Sequence, residues 1–188
     1  MAYVEEKTFN KVDFTSKALE KGEYDNCTFK ECDFSNSDLS DIKFLECRFD
    51  NCNLSMTKLI NTSLCDVRFK NCKMIGMHFE TCNEFGFSIH LEDCNLSLSS
   101  FYKIKMKKNT FKNLKFHECD FTESDLSLSV FDQCDFAKAT FDNTNLEKAD
   151  MQTSFNYSID PDKNRIKKAK FSLNGIAGLL DKYDIEIN

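Results

Sequence analysis

From Phe9 to Phe79 every fifth residue is large and apolar: Phe9, Phe14, Leu19, Tyr24, Phe29, Phe34, Leu39, Phe44, Phe49, Leu54, Leu59, Leu64, Phe69, Met74 and Phe79. The rhythm resumes out of phase from Leu91 to Met151, through Leu96, Phe101, Met106, Phe111, Phe116, Phe121, Leu126, Phe131, Phe136, Phe141 and Leu146. A period of five suits neither regular element. On an α-helix a five-residue step turns about 140°, so the series scatters around the axis. On a flat strand position i+5 points to the opposite face. The residues stay on one side only if the chain turns a corner once per pentad. Position i−2 is mostly small or a thiol, as at Cys27, Cys32, Ser37, Cys47, Cys52, Thr57, Thr62, Cys72, Cys94, Ser99, Cys119, Ser124, Ser129, Cys134, Ala139 and Ala149. Two inward residues make a short extended step, and the odd residue is spent on the corner. Four corners close a square coil of about 20 residues rising about 4.8 Å, the strand spacing. The expected fold is an all-β solenoid, a quadrilateral β-helix whose narrow bore takes one large and one small residue per wall.

Cys32-Asp33-Phe34-Ser35-Asn36, Ser37-Asp38-Leu39-Ser40-Asp41 and Ser124-Asp125-Leu126-Ser127-Leu128 resemble the A(D/N)LXX motif of pentapeptide repeat proteins. That family forms right-handed quadrilateral β-helices, and the resemblance covers about 145 of the 188 residues.

The cysteine count of ten could signal disulfides or a metal site. Register argues for buried, free thiols instead, since eight of the ten fall at i−2. Free thiols, no signal-peptide pattern at the N-terminus and no apolar run of membrane-span length point to a cytoplasmic protein off the membrane.

The rhythm is interrupted by two inserted residues between Phe79 and Leu91, within a register slip at 80–90. There Phe85, Phe87, Ile89 and Leu91 alternate with Gly86, Ser88 and His90, an elongated side or bulged corner. Glu84, Phe85, Gly86 and Phe87 form a candidate contact kink. The repeat domain is read as 1–157 and a capping and dimerisation segment as 158–188. Asn156 and Pro161 fill central positions poorly, and Asp160-Pro161-Asp162 reads as a turn. Beyond Ser172, a candidate N-cap, Ile176, Leu179, Leu180 and Tyr183 fall at α-helical spacing, with Ile185 and Ile187 as a last short strand. A short α-helical cap is expected, with Gly175 and Gly178 allowing another backbone to approach closely.

Charge is uneven. Ten acids lie between Phe116 and Asp160, opposed only by Lys138 and Lys148, a net −8. At coil spacing this is one net charge per about 1.4 Å, against about 1.7 Å for duplex DNA. The preceding coil is basic, with Lys103, Lys105, Lys107, Lys108, Lys112 and Lys115, but lacks outward aromatics for nucleic-acid stacking, so no direct nucleic-acid binding is expected. No catalytic motif or Gly-rich phosphate loop appears, and His78, His90 and His117 sit at outward positions with no partner expected. Neither an enzyme nor a cofactor or metal site is expected.

The tail from Ile159-Asp160-Pro161 through Asn164-Arg165-Ile166 to Gly178-Leu179-Leu180 is similar to the C-terminal segments of the Qnr, MfpA and microcin-immunity group. The resemblance implies a homodimer paired through Ile176, Leu179, Leu180, Tyr183, Ile185 and Ile187. It also implies a DNA-mimicking role, engaging DNA gyrase or topoisomerase IV and protecting it from quinolones or gyrase poisons. The acids Glu118, Asp120, Glu123, Asp125, Asp132, Asp135, Asp142 and Asp150 would make the contact. Quinolone-protecting members carry long protruding loops, whereas this chain has two inserted residues. The alternative is a binding scaffold for another protein partner, since the repeat alone specifies a fold.

Overall fold

The computed structural model describes residues 2–186, and the chain divides into two compact units after Leu96. Each unit follows the right-handed quadrilateral β-helix that the rhythm requires. In the first, strands β1 (Ala2–Glu5), β3 (Gly22–Asp25), β5 (Lys43–Leu45) and β7 (Ser63–Cys65) stack in parallel as one wall. A second wall stacks β2 (Thr8–Asn10), β4 (Thr28–Lys30), β6 (Arg48–Asp50), β8 (Val67–Lys70) and β9 (Ile89–Glu92). The remaining walls are held by single bridges, such as Asp13 to Asp33 to Asn53 and Asp38 to Lys58. In the second unit β10 (Thr110–Lys112), β11 (Val130–Asp132), β12 (Asp150–Met151) and β13 (Lys170–Phe171) form one wall. The other walls are bridged as Ser100–Asp120–Thr140, Lys105–Asp125–Asn145–Arg165 and Lys115–Asp135–Phe155.

Bridge partners are separated by one full coil, which is four pentads everywhere except from Lys73 to Asn95, where the inserted pair intervenes, so identical pentad positions stack. Phe9, Phe29, Phe49 and Phe69 form one column, with ring centroids 4.8, 4.6 and 5.0 Å apart. Phe111 over Phe131 and Phe116 over Phe136 repeat the pattern in the second unit at 4.9 and 5.1 Å.

The corner is a residue in the left-handed region. Glu31 (φ 51°), Asn51 (φ 55°) and Asn71 (φ 53°) turn one corner of three successive coils, and Glu118, Glu123, Leu128, Gln133 and Lys138 turn successive corners of the second unit. Each corner N–H is satisfied by the next coil, as from Glu31 to the Asp50 carbonyl and from Asn51 to that of Lys70. Side chains here point to solvent, which explains Asn, Asp, Glu and Lys. Asn and Asp tolerate this conformation best among non-glycine residues.

The i−2 residue is more than small. At most of these positions its side chain donates a hydrogen bond to the carbonyl of the central residue 23 positions earlier, although the buried Ser124 hydroxyl finds no partner among the described residues. Cys27 reaches Val4, Cys47 Tyr24, Thr57 Phe34, Thr62 Leu39 and Thr144 Phe121, at 3.4, 3.2, 2.9, 2.8 and 2.8 Å. From Cys94 the interval is 25, to Phe69, because the inserted pair intervenes. Buried carbonyls thus gain a donor inside an apolar bore, where an unpaired one is costly.

The insertion is extruded from one wall. Asn83 donates from its N–H to Thr62 and Ser88 to Leu64, so the chain between them bulges outward. The Asn83 side-chain oxygen accepts from the Phe85 N–H at 3.0 Å, Gly86 takes φ +72°, and Phe85 is 88% exposed. The period-two reading therefore holds from Ile89 onward, while Phe85 and Phe87 belong to a turn.

The tail corrects two expectations. In place of an α-helix, Ile176–Leu179 and Asp181–Tyr183 are 3-10 turns, and Ile185 lies in no strand. Ile187 lies outside the described residues. Two glycines within four positions penalise a helix this short by about 1 kcal/mol each. The Ser172 hydroxyl does accept from the Gly175 N–H, at 3.0 Å. Both glycines are required by Tyr157. A Cβ at Gly175 would lie 1.9 Å from the Tyr157 hydroxyl, and one at Gly178 would lie 2.0 Å from the Tyr157 carbonyl oxygen. Tyr157 is buried and its ring meets Phe171 at 5.5 Å, while Asn156 at the central position is exposed with φ +59°. The Ile159 N–H bonds the Gly178 carbonyl at 2.8 Å, and Lys182 bridges Asp160 and Asp162. The tail is thus clamped onto its own unit.

All ten cysteines are free, and all but Cys65 are buried. Burial pushes the thiols of Cys47, Cys82, Cys119 and Cys134 up to about 12. Titration of native protein with a thiol reagent at pH 8 is expected to modify at most Cys65 quickly, the other nine reacting only after denaturation. Several fast thiols would refute the inward register. Gly178→Ala is expected to cost about 2–4 kcal/mol or to release the tail, seen as a lowered unfolding midpoint or as proteolysis confined to the tail, because the clash is with backbone.

Candidate functional site

The bore is filled, so the outward surface is the candidate site. Acids at i−1 first shape the wall. One carboxylate oxygen accepts the N–H two residues on, from Asp120 to Thr122 (2.9 Å), Asp125 to Ser127 (3.1 Å), Asp135 to Ala137 (3.2 Å) and Asp150 to Gln152 (3.2 Å). Asp13, Asp33 and Asp38 do the same in the first unit. Half of the expected contact acids are therefore also turn-forming groups.

Stacking supplies counter-ions that a linear count does not see. Asp125 meets Lys107 at 3.0 Å, Asp135 meets His117 at 2.6 Å, Asp150 meets Lys170 at 3.0 Å and Glu123 meets Lys103 at 3.5 Å. Glu147 meets Arg165 at 2.9 Å. Burial pushes the Asp125 and Asp135 carboxyls up. Hydrogen bonds from Ser127 and Lys107, and from His117 and Asn156, outweigh it and leave both below the usual carboxylate range. Asp132 accepts from Thr153 (3.1 Å) and Asp142 from Asn143 (3.3 Å). Glu118, Asp120, Asp132 and Asp142 are in no ion pair among the described residues.

The histidines do have partners: His78 meets Glu80 and His90 meets Asp66, both at 2.8 Å, besides His117 with Asp135. In sequence they looked isolated because two of these pairs span coils. Counted over the units, residues 97–188 hold 14 acids and 14 Lys and Arg, while residues 1–96 hold 17 against 11. The chain's net −6 therefore belongs to the first unit. An alignment of the sequence on itself at period 20 exposes the pairs Lys11–Glu31, Lys21–Asp41, Glu23–Lys43, Lys103–Glu123 and Asp150–Lys170.

The kink places Phe85 at the tip of the bulge, with Glu84 exposed and Phe87 half-buried. In the tail Ile176, Tyr183 and Ile185 are exposed, and so is Leu173, which the helical spacing had passed over. Leu179 and Leu180 are half-buried. A groove of about 460 Å³ runs beside the tail, lined by Lys138, Asn156, Tyr157, Ser158, Asn174 and Asp181 among others. Among the described residues no three His, Cys, Asp or Glu are placed to share a metal ion, and no helix is long and apolar enough to cross a membrane.

Comparisons with known proteins agree with this geometry. Two family descriptions match: "Pentapeptide repeat region" over residues 22–84 and "Pentapeptide repeats (8 copies)" over residues 115–152, together more than half of the chain. No curated protein matches. Among solved structures, a trypsin-treated variant of QnrB1, described as a plasmid-mediated fluoroquinolone resistance protein, is similar at 19% identity, with 99% of this chain and 97% of that chain covered and a TM-score of 0.63. Full-length QnrB1 is also similar at 19% identity, covering 98% of this chain and 100% of that chain with a TM-score of 0.52. At such identity the likeness is one of fold. Five-residue rhythm, square coils and family descriptions converge, and the chain belongs to the pentapeptide repeat family, with a Qnr-like fold.

Proposed function

We infer that the protein is a non-enzymatic solenoid that binds a type II topoisomerase, DNA gyrase or topoisomerase IV, in the cytoplasm and shields it from fluoroquinolones or gyrase poisons. The observation that carries the reading is a surface on which carboxylates are held at fixed outward positions by the coil itself, on a fold shared end to end with a fluoroquinolone resistance protein. A basic DNA-binding saddle would meet such a surface by charge complementarity. Glu118, Asp120, Asp132 and Asp142 would supply unneutralised charge. Glu123, Asp125, Asp135 and Asp150 would contribute by exchanging Lys103, Lys107, His117 and Lys170 for cations of the partner. The kink at Glu84, Phe85, Gly86 and Phe87 would add an apolar anchor, since a large exposed ring is a common energetic centre of an interface. Ile176, Leu179, Leu180, Tyr183, Ile185 and Ile187, with Leu173, would pair two chains into a homodimer through their apolar side chains.

A second reading is favoured by the charge balance. A second unit with equal numbers of acids and bases has less call to imitate DNA than the sequence run of acids implied. The protein would then be a scaffold for another protein partner.

A gyrase supercoiling assay with purified protein, with and without a fluoroquinolone or a microcin-type poison, separates the two. Topoisomerase binding is expected to inhibit supercoiling or relieve the drug, and to weaken steeply with salt. No inhibition, no protection and no low-salt pull-down of gyrase or topoisomerase IV would leave the scaffold reading.

A further inference from the structure

One corner of the second unit stacks three lysines and a leucine. Lys108, Leu128, Lys148 and Lys168 each stand one coil after the last and turn the same corner of four successive coils, with φ of 57, 63, 58 and 61°. The N–H groups of Lys108, Leu128 and Lys148 bond the carbonyls of Ser127, Glu147 and Lys167, which fixes them as one stacked column. At strand spacing it spans about 14 Å.

Leu128 is 42% exposed, beside Val130 at 41%, so core burial does not explain either side chain. Apolar surface left exposed and rimmed by charged residues is a mark of a contact site. The acids bordering the column are already occupied: Glu147 by Arg165, Asp150 by Lys170 and Asp125 by Lys107. Lys108, Lys148, Lys168 and the neighbouring Lys167 are in no ion pair among the described residues.

We propose that this corner, Lys108–Leu128–Lys148–Lys168 with Val130, docks an acidic polypeptide segment that carries an apolar residue among its carboxylates. Leu128 is flanked above and below by the cations Lys108 and Lys148, the complement of such a segment, while Val130 lies between Thr110 and the lysine-paired Asp150. A nucleic-acid backbone would match the lysines but has nothing to place on Leu128 and Val130. The topoisomerase reading uses none of Lys108, Leu128, Val130, Lys148 and Lys168, although its Asp125 and Asp150 border the column, so the inference stands whether or not that reading holds.

The test is fluorescence anisotropy of the full-length protein with a labelled peptide alternating Glu and Ser around one central Leu. The comparators are the same peptide with Ser at its centre and a labelled single-stranded oligonucleotide. Leu128→Asn keeps the corner, because Asn143 turns an equivalent one with φ 53°. Lys148→Glu combined with Lys168→Glu keeps it too, as Glu118 and Glu123 show. The protein is expected to bind the Leu peptide about fivefold or more tighter than the Ser peptide. Leu128→Asn should erase that preference with an unchanged or raised Tm, and the double charge reversal should weaken binding about tenfold or more. No binding at low salt, equal binding by the variants, or an oligonucleotide bound as tightly as the peptide would overturn the proposal.

Discussion

A residue in the left-handed region, once in every five, is the constraint on which the rest of the structure depends. It turns the chain through a corner, so two inward residues per pentad can face the same bore. It also donates its N–H to the next coil, as Asn51 does to Lys70, so the corner that breaks each short strand is itself part of the coil-to-coil hydrogen bonding. Once corners recur, coils stack at strand spacing and every position acquires a neighbour at the same place in the next coil. Ring columns, inner donors and outer ion pairs all follow from that one spacing.

Inside the bore, two needs compete for little space. The central position demands bulk, and Phe29, Phe49, Phe116 and Phe136 meet it with stacked rings. The i−2 position demands a small side chain that can also donate to a buried carbonyl. Cys, Ser and Thr can satisfy both, which is why thiols are frequent here. Where Ala139 and Ala149 stand instead, the volume requirement is met and no donor is supplied.

The central residues were legible because burial repeats locally, within five positions. The slip after Phe79 was legible as a broken phase, and the structure shows it as a bulge with Phe85 at its tip. What was not legible depends on coil-to-coil distance. His117 looked isolated and the acids from Glu118 to Asp150 looked unopposed, because their partners sit in a neighbouring coil, close in space and about four pentads away along the chain. The tail misled for another reason. Its apolar spacing is helical, but Gly175 and Gly178 serve the close approach of Tyr157, and the chain settles into 3-10 turns. The column from Lys108 to Lys168 was open to a reading at period 20 and hidden from one at period five.

The corner constraint is tested most directly by substituting one such residue in both directions and measuring thermal unfolding. Asn51, exposed with φ +55°, is the position of choice, with outward Arg48 on the adjoining strand as control. Asn51→Gly is expected to leave stability unchanged within a few tenths of a kcal/mol, and Asn51→Val to lower it by about 1–3 kcal/mol, because a β-branched residue resists the left-handed region. Arg48→Val should change it by no more than about 0.5 kcal/mol. Equal stability of the Val and Gly variants at Asn51 would contradict the account.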